Sequence, residues 1–267
     1  MNSLYGRAAA VLAAATLVLA GCSSSDSSDT SATTGTADSA SEISGDITVF
    51  AAASLTATFT ELGEMFEVAY PGTSVSFNFA GSSDLVAQLT QGAPGDVFAS
   101  ADTTNMTKAV DAELIAGEPT NFATNTLTIV TPPGNPKNIT SFADLANPDN
   151  LVVICAPQVP CGAATAKVEE ATGVDIAPVS EESAVTDVLG KVISGQADAG
   201  LVYVTDAAGA GDQVVTVGFP ESSEAVNTYP IAVLSDSANT AAAEAFEELV
   251  TSPEGRQVLS AAGFEAP

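Results

Sequence analysis

The chain has 267 residues, 46% of them hydrophobic, enough to bury the core of one large domain or of two lobes of ordinary size. Its 33 acidic residues against six basic ones give a formal charge of −27, which argues against nucleic acid or an anionic membrane surface as partners. Histidine is absent, and with it the commonest general base, the commonest zinc ligand and the Ser-His-Asp triad.

Residues 1–21 read as a targeting segment. Arg7 supplies a positive start, and Ala8 to Ala20 is an apolar run too short to span a membrane. The segment ends Leu19-Ala20-Gly21-Cys22, which resembles a bacterial lipobox. That resemblance implies cleavage before Cys22, a lipid on its thiol and a protein tethered outside the cytoplasmic membrane. An ordinary signal peptide with a chance cysteine is the alternative. Residues 22–45 are Ser, Thr, Asp, Gly and Ala with almost nothing to bury, and are expected to form a flexible tether.

The folded part is expected from about Asp46. Ile47, Val49 and Phe50 favour a strand, which turns at Ser54, a good N-cap, into a helix carrying Leu55, Phe59, Leu62, Met65 and Phe66. Ser74–Phe79 predicts a strand and Gly81-Ser82-Ser83-Asp84 opens a helix. A short strand at Asp96–Ala99, a helix from about Thr103 to Asp111 and a strand at Leu127–Val130 follow. After a Pro- and Asn-rich loop over Pro132–Ile139 come a short helix at Ser141–Ala146 and an apolar strand at Leu151–Ile154. Helices are expected from about Cys161 to Ala171 and from about Ala184 to Ser194. Strands are expected at Ala199–Val204, Val214–Val217 and Tyr229–Leu234, and the chain ends in helices at Thr240–Val250 and Pro253–Ala261. Such alternation implies an α/β protein built on an open, mixed sheet with helices on both faces.

Four places look like helix amino ends with small residues or exposed backbone: Ser54, Gly81-Ser82-Ser83, Pro160-Cys161-Gly162-Ala163-Ala164-Thr165, and Glu182-Ser183-Ala184-Val185. Singly, each is an ordinary cap. Together they suggest a site made of neutral donors for an anion, because helix amino ends leave N–H groups unpaired and carry the positive end of the dipole. With Arg7 removed, only Lys108, Lys137, Lys167, Lys191 and Arg256 remain as cations, so a buried anion would rely on dipoles and hydrogen bonds. A fully deprotonated tetrahedral oxyanion suits such a site, whereas a phosphate that keeps a proton would also want an acceptor.

Here the sequence resembles a known family. Val49-Phe-Ala-Ala-Ala-Ser54-Leu55, Phe79-Ala-Gly-Ser82-Ser83 and Gly92-Ala-Pro-Gly-Asp96-Val-Phe-Ala-Ser-Ala-Asp102 are similar to the molybdate-binding proteins of molybdate ABC transporters. So, in the same order, are Pro157-Gln-Val-Pro-Cys161-Gly162, Gly200-Leu-Val-Tyr203-Val-Thr-Asp206, Tyr229-Pro-Ile-Ala-Val233 and the ending from Ser252-Pro-Glu-Gly255 through Phe264. The resemblance covers residues 46–265. It implies a two-lobed periplasmic-binding-protein (type II) fold, each lobe a mixed sheet flanked by helices, with two crossovers. Lobe one would comprise 46–123 plus 230–267 and lobe two 124–229, with the ligand in the cleft between them.

Carried over by position, Ser54 and Ser82 would give hydroxyl and backbone donors, Cys161 and Val185 backbone N–H groups, and Tyr203 its phenol. Val185 rests on its spacing to Tyr203, and Cys161 stands where the family often has alanine. Without the family match, Tyr203 reads as a core residue with its hydroxyl at the rim. Cys155 and Cys161, with five residues between them, are expected to form a disulfide in an oxidising compartment. Two buried thiols or a soft-metal site are the alternatives. Asp96 and Asp102 resemble a carboxylate pair, but their surroundings suggest a loop and a cap.

The resemblance implies a monomeric, extracytoplasmic, lipid-anchored solute-binding protein. It would capture molybdate, and tungstate, for an ABC permease, with no chemistry, no cofactor and no directly coordinated metal. The same fold holding sulfate, phosphate or another small anion is the nearest rival. An enzyme working through carboxylates and an adhesive surface lipoprotein are more remote.

Overall fold

The computed structural model describes residues 43–267. The targeting segment, Cys22 and the tether up to residue 42 lie outside the described residues. Ile43 already packs against the first core, and Ser44 accepts a hydrogen bond from Asn239 Nδ2 (2.8 Å).

The first half of the chain alternates β1 (Gly45–Ala52), a 3-10 turn (Ala53–Leu55), α1 (Thr56–Ala69), β2 (Thr73–Ala80), α2 (Ser82–Thr90), β3 (Val97–Ala99), α3 (Thr103–Asp111) and β4 (Thr120–Asn125). Beyond Thr126 follow β5 (Leu127–Thr131), a 3-10 turn (Phe142–Ala146), β6 (Val152–Cys155), α4 (Pro160–Thr172), β7 (Ser180–Glu182), α5 (Val185–Ile193), β8 (Ala199–Tyr203), α6 (Val204–Ala210), β9 (Val215–Val217) and a 3-10 turn (Pro220–Ala225). The chain closes with β10 (Asn227–Val233), α7 (Thr240–Thr251) and α8 (Pro253–Ala261).

Two five-stranded mixed sheets result, in the orders β2-β1-β3-β10-β4 and β7-β6-β8-β5-β9. In the first, β1 runs parallel to β2 and β3 while β10 runs antiparallel to β3 and β4. In the second, β6 runs parallel to β7 and β8 while β5 runs antiparallel to β8 and β9. The chain passes from one lobe to the other twice. Only Thr126 separates β4 from β5, and only Val226 separates the second-lobe turn, whose Ala225 is in the second core, from β10.

The central strands of the second sheet are covered on both faces and are correspondingly rich in apolar residues. β5, β6 and β8 are buried at every position. Phe59 of α1 anchors the first lobe, fully buried with its ring centroid 5.8 Å from Phe122 and 5.9 Å from Phe246. The predicted elements recur with shifts of a residue or two. The structure adds β4, β7 and α6, which the sequence reading left as loop. Leu151, expected to open β6, is exposed, and its N–H bonds to Asp198 Oδ2 (2.9 Å) instead of a strand. Ser54 departs from its expected role, since it lies inside the 3-10 turn and its side chain caps neither that turn nor α1.

Cys155 and Cys161 form a disulfide with Cα atoms 5.6 Å apart, joining the end of β6 to the first turn of α4. The bridge pins the loop that leads into α4. A loop this short restricts the unfolded chain by about 2 kcal/mol. Reduction, or the double change Cys155→Ala/Cys161→Ala, should lower the unfolding free energy by that amount, seen by circular dichroism as a lower denaturant midpoint with the slope little changed.

Candidate functional site

Five residues singled out from the sequence line one cavity between the lobes: Ser54, Ser82, Cys161, Val185 and Tyr203. They reach it from four helix starts and one strand end. Ser54 sits in the turn between β1 and α1, Ser82 is the first residue of α2, and both belong to the first lobe. From the second lobe, Cys161 lies in the first turn of α4, Val185 is the first residue of α5, and Tyr203 ends β8. The free N–H groups of these turns have no intrahelical partner, so the cavity wall is a set of donors at the positive ends of helix dipoles. Among the described residues, no charged side chain lines the cavity.

The three hydroxyls are held from behind. Ala101 N–H donates to Ser82 Oγ (3.0 Å), Asn227 Nδ2 donates to the Tyr203 hydroxyl (3.0 Å), and Ser54 Oγ pairs with the Tyr229 hydroxyl (3.1 Å). Tyr203 is 1% exposed, so its hydroxyl is no rim group. Burial, and then the neighbouring Tyr229, Asp102 and Asp206, push its pKa well above the ordinary phenol value. Burial raises Tyr229 as well. Both phenols keep their protons and remain available as donors.

The cavity measures about 10 Å³, room for about one water-sized body. The lobes meet at its edge, where Gly81 approaches the carbonyl oxygen of Ser183 so closely that a Cβ would overlap it. Gly81 has an ordinary extended backbone (φ −61°, ψ 139°), so the requirement for glycine here is steric. Asn125 Nδ2 bonds Thr205 Oγ1 (2.8 Å) across the first crossover.

The other candidates have structural duties. Asp96 accepts from Thr48 N–H (2.8 Å), Ser237 Oγ (2.7 Å) and Asn239 N–H (3.3 Å), tying β1 to the segment before α7. Asp102 caps α3 through Asn105 N–H (2.8 Å). Lys137 pairs with Asp198 (3.5 Å) and Lys191 with Glu182, both away from the cavity. Among the described residues, no group of three or more acidic or cysteine side chains is placed to hold a metal ion. Asn227 and Tyr229 were not singled out as site residues from the sequence, because an Asn and a Tyr in a strand carry no motif of their own.

Asp206 lies in a groove of about 480 Å³ that shares Ser54 with the cavity. Burial raises its carboxyl from 3.8 to about 7, offset in part by the N–H of Tyr203 (3.1 Å). The folded chain therefore holds this proton up to about pH 7, while the unfolded chain releases it near 3.8. Between those values rising pH favours the unfolded state, by at most about 4 kcal/mol for such a gap. Asp206→Asn removes this penalty. The variant should gain stability relative to the original chain from pH 5 to pH 8, as read by denaturant midpoints at the two values.

Residues 47–265 match the family of bacterial extracellular solute-binding proteins. The chain is 57% identical over 221 residues to the molybdate-binding protein ModA of Mycobacterium tuberculosis, which covers 83% of this chain and 85% of that one. The periplasmic molybdate-binding protein of Azotobacter vinelandii superposes with a TM-score of 0.70 at 23% identity, covering 83% of this chain and 99% of that one. The sulfate-binding protein SubI of Mycobacterium tuberculosis does so with a TM-score of 0.74 at 20% identity, covering 83% and 87%. These two likenesses are of fold, and the fold is that of periplasmic binding proteins. On its sequence match and its two-lobed architecture, this chain belongs to the bacterial extracellular solute-binding proteins, a family of binding proteins and not of enzymes.

Proposed function

We propose that the chain captures molybdate, and tungstate, outside the cytoplasmic membrane and delivers it to an ABC importer. The observation that carries this reading is the convergence of four helix amino ends and three proton-bearing hydroxyls on a small cavity lined by no charged side chain. A fully deprotonated tetrahedral oxyanion offers only acceptors and meets only donors there. Ser54 and Ser82 would each supply a hydroxyl and a backbone N–H, Cys161 and Val185 backbone N–H groups, and Tyr203 its phenol. The relative of 57% identity bears the name of a molybdate-binding protein, which favours molybdate over other oxyanions.

In this reading residues 1–21 are removed, Cys22 carries the lipid, the residues from 23 to 42 tether the protein to the fold that starts at Ile43, short of the expected end of the tether at 45, and it works as a monomer. Lobe one then spans 46–125 plus 227–267 and lobe two 127–225, the expected boundaries at 123/124 and 229/230 moving by a few residues to the single-residue crossovers Thr126 and Val226. Selection against sulfate would rest on size, because a smaller tetrahedron leaves donors unpaired in a desolvated cleft at about 1–3 kcal/mol each.

Thermal unfolding of a soluble form beginning after Cys22, with molybdate, tungstate, sulfate and phosphate added separately, tests the proposal. Molybdate or tungstate at a hundred times its dissociation constant should add about 2.7 kcal/mol. Ser82→Ala should weaken molybdate binding roughly tenfold to a hundredfold. Gly81→Ala should weaken it too, by holding the lobes apart, while leaving the unliganded melting temperature nearly unchanged. A shift with sulfate or phosphate alone would replace the ligand, and a shift with none would overturn the reading.

A further inference from the structure

Asn227 opens β10, is 6% exposed and stands between the lobes. Its Nδ2 lies 2.7 Å from the carbonyl oxygen of Ala101 in the first lobe and 3.0 Å from the hydroxyl of Tyr203 in the second, with the Pro160 carbonyl at 3.5 Å. A carbonyl oxygen only accepts, so the group facing Ala101 must be the amide NH₂. One of its hydrogens goes to Ala101 and the other meets Tyr203. The phenol oxygen is thus used as an acceptor on this side, and its own proton points away from Asn227, toward the cavity or the neighbouring Tyr229 hydroxyl. Burial keeps that proton in place. Ala101 acts on both walls, since its carbonyl orients Asn227 while its N–H donates to Ser82 Oγ.

We infer that Asn227 is a positioning residue that commits the Tyr203 phenol to donating into the cavity, so that the site rejects oxyanions that still carry a proton. This rests on the reading of the cavity as an oxyanion site. A bare oxyanion loses nothing to a wall of donors. Hydrogen phosphate or hydrogen arsenate brings an O–H that the Tyr203 phenol, turned as a donor, does not accept, and an unpaired O–H in a desolvated cavity is costly. Size and protonation are therefore separate filters. Sulfate is small and bare, phosphate is small and protonated, molybdate is large and bare, and arsenate is protonated and larger than phosphate.

Asn227→Asp reverses the polarity. The carboxylate accepts the phenol proton, and the Tyr203 oxygen then turns a lone pair to the cavity. Asn227→Ala frees the phenol to point either way and serves if the aspartate variant does not fold. Titration calorimetry near neutral pH with molybdate, sulfate, arsenate and phosphate reads the outcome as the ratio of the molybdate affinity to the arsenate affinity. Either variant should lower this ratio by at least about tenfold, the equivalent of about 1.4 kcal/mol. In a Tyr203→Phe background the change at 227 should no longer move the ratio.

If the variants weaken molybdate and arsenate equally, or if the shift persists without the Tyr203 hydroxyl, Asn227 is only a strut between the lobes and the inference fails. If the unaltered protein binds none of the four anions, the oxyanion reading itself fails. The titration of the unaltered protein thus separates the two failures.

Discussion

The arrangement depends on one electrostatic constraint. A chain with a net charge of −27 presents a cavity walled by donors, and no charged side chain lines it. Without a guanidinium or ammonium to supply attraction, the field must come from backbone dipoles, each worth a fraction of a charge and effective only within the first helical turn. Several helix starts have to be aimed at one point for the sum to matter. That requirement accounts for the topology around the site, where β1, β2, β6 and β7 each hand the chain to a helix at the cleft. It also accounts for the need for two lobes, since no single sheet end supplies all four starts.

Hydroxyls complete the wall, and each is ambivalent, able to give or to take a proton. The structure narrows that ambivalence at two of them by taking up one lone pair with a donor, the Ala101 N–H behind Ser82 and the Asn227 amide NH₂ behind Tyr203. These partners come from different segments, and Asn227 joins a first-lobe carbonyl to a second-lobe phenol. Donor direction and lobe approach are thus coupled through a few buried atoms. Such a network specifies one arrangement because every alternative leaves a buried polar group unpaired.

Much of this was legible in the sequence. The four helix starts were visible as small and hydroxyl residues after apolar runs, and the structure places all four at the cavity. Their convergence was not visible in residue patterning, because it depends on which strands neighbour one another. Residue resemblance supplied that part. β4 and β7 escaped because Thr-Asn-Phe-Ala-Thr-Asn and Ser-Glu-Glu are polar edge strands with little apolar patterning, and β7 has only three residues. α6 is seven residues, several of them Ala or Gly, with no amphipathic stripe to betray it. Ser54 misled for a physical reason: N-cap preference is a local tendency, and here a hydrogen bond to Tyr229, 175 positions away, takes the hydroxyl.

The two single-residue crossovers have a mechanical consequence. Asn227 pairs with Asn125 across the first sheet, and Tyr203 pairs with Leu127 across the second, so the two residues that share a hydrogen bond flank Thr126. If the lobes swing about Thr126 and Val226, atoms beside that axis travel least, as points near a fulcrum do. The Asn227–Tyr203 pair would then stay together while Gly81 parts from Ser183. Part of the binding wall would be assembled before any ion arrives, and an incoming anion would have to organise only the far jaw.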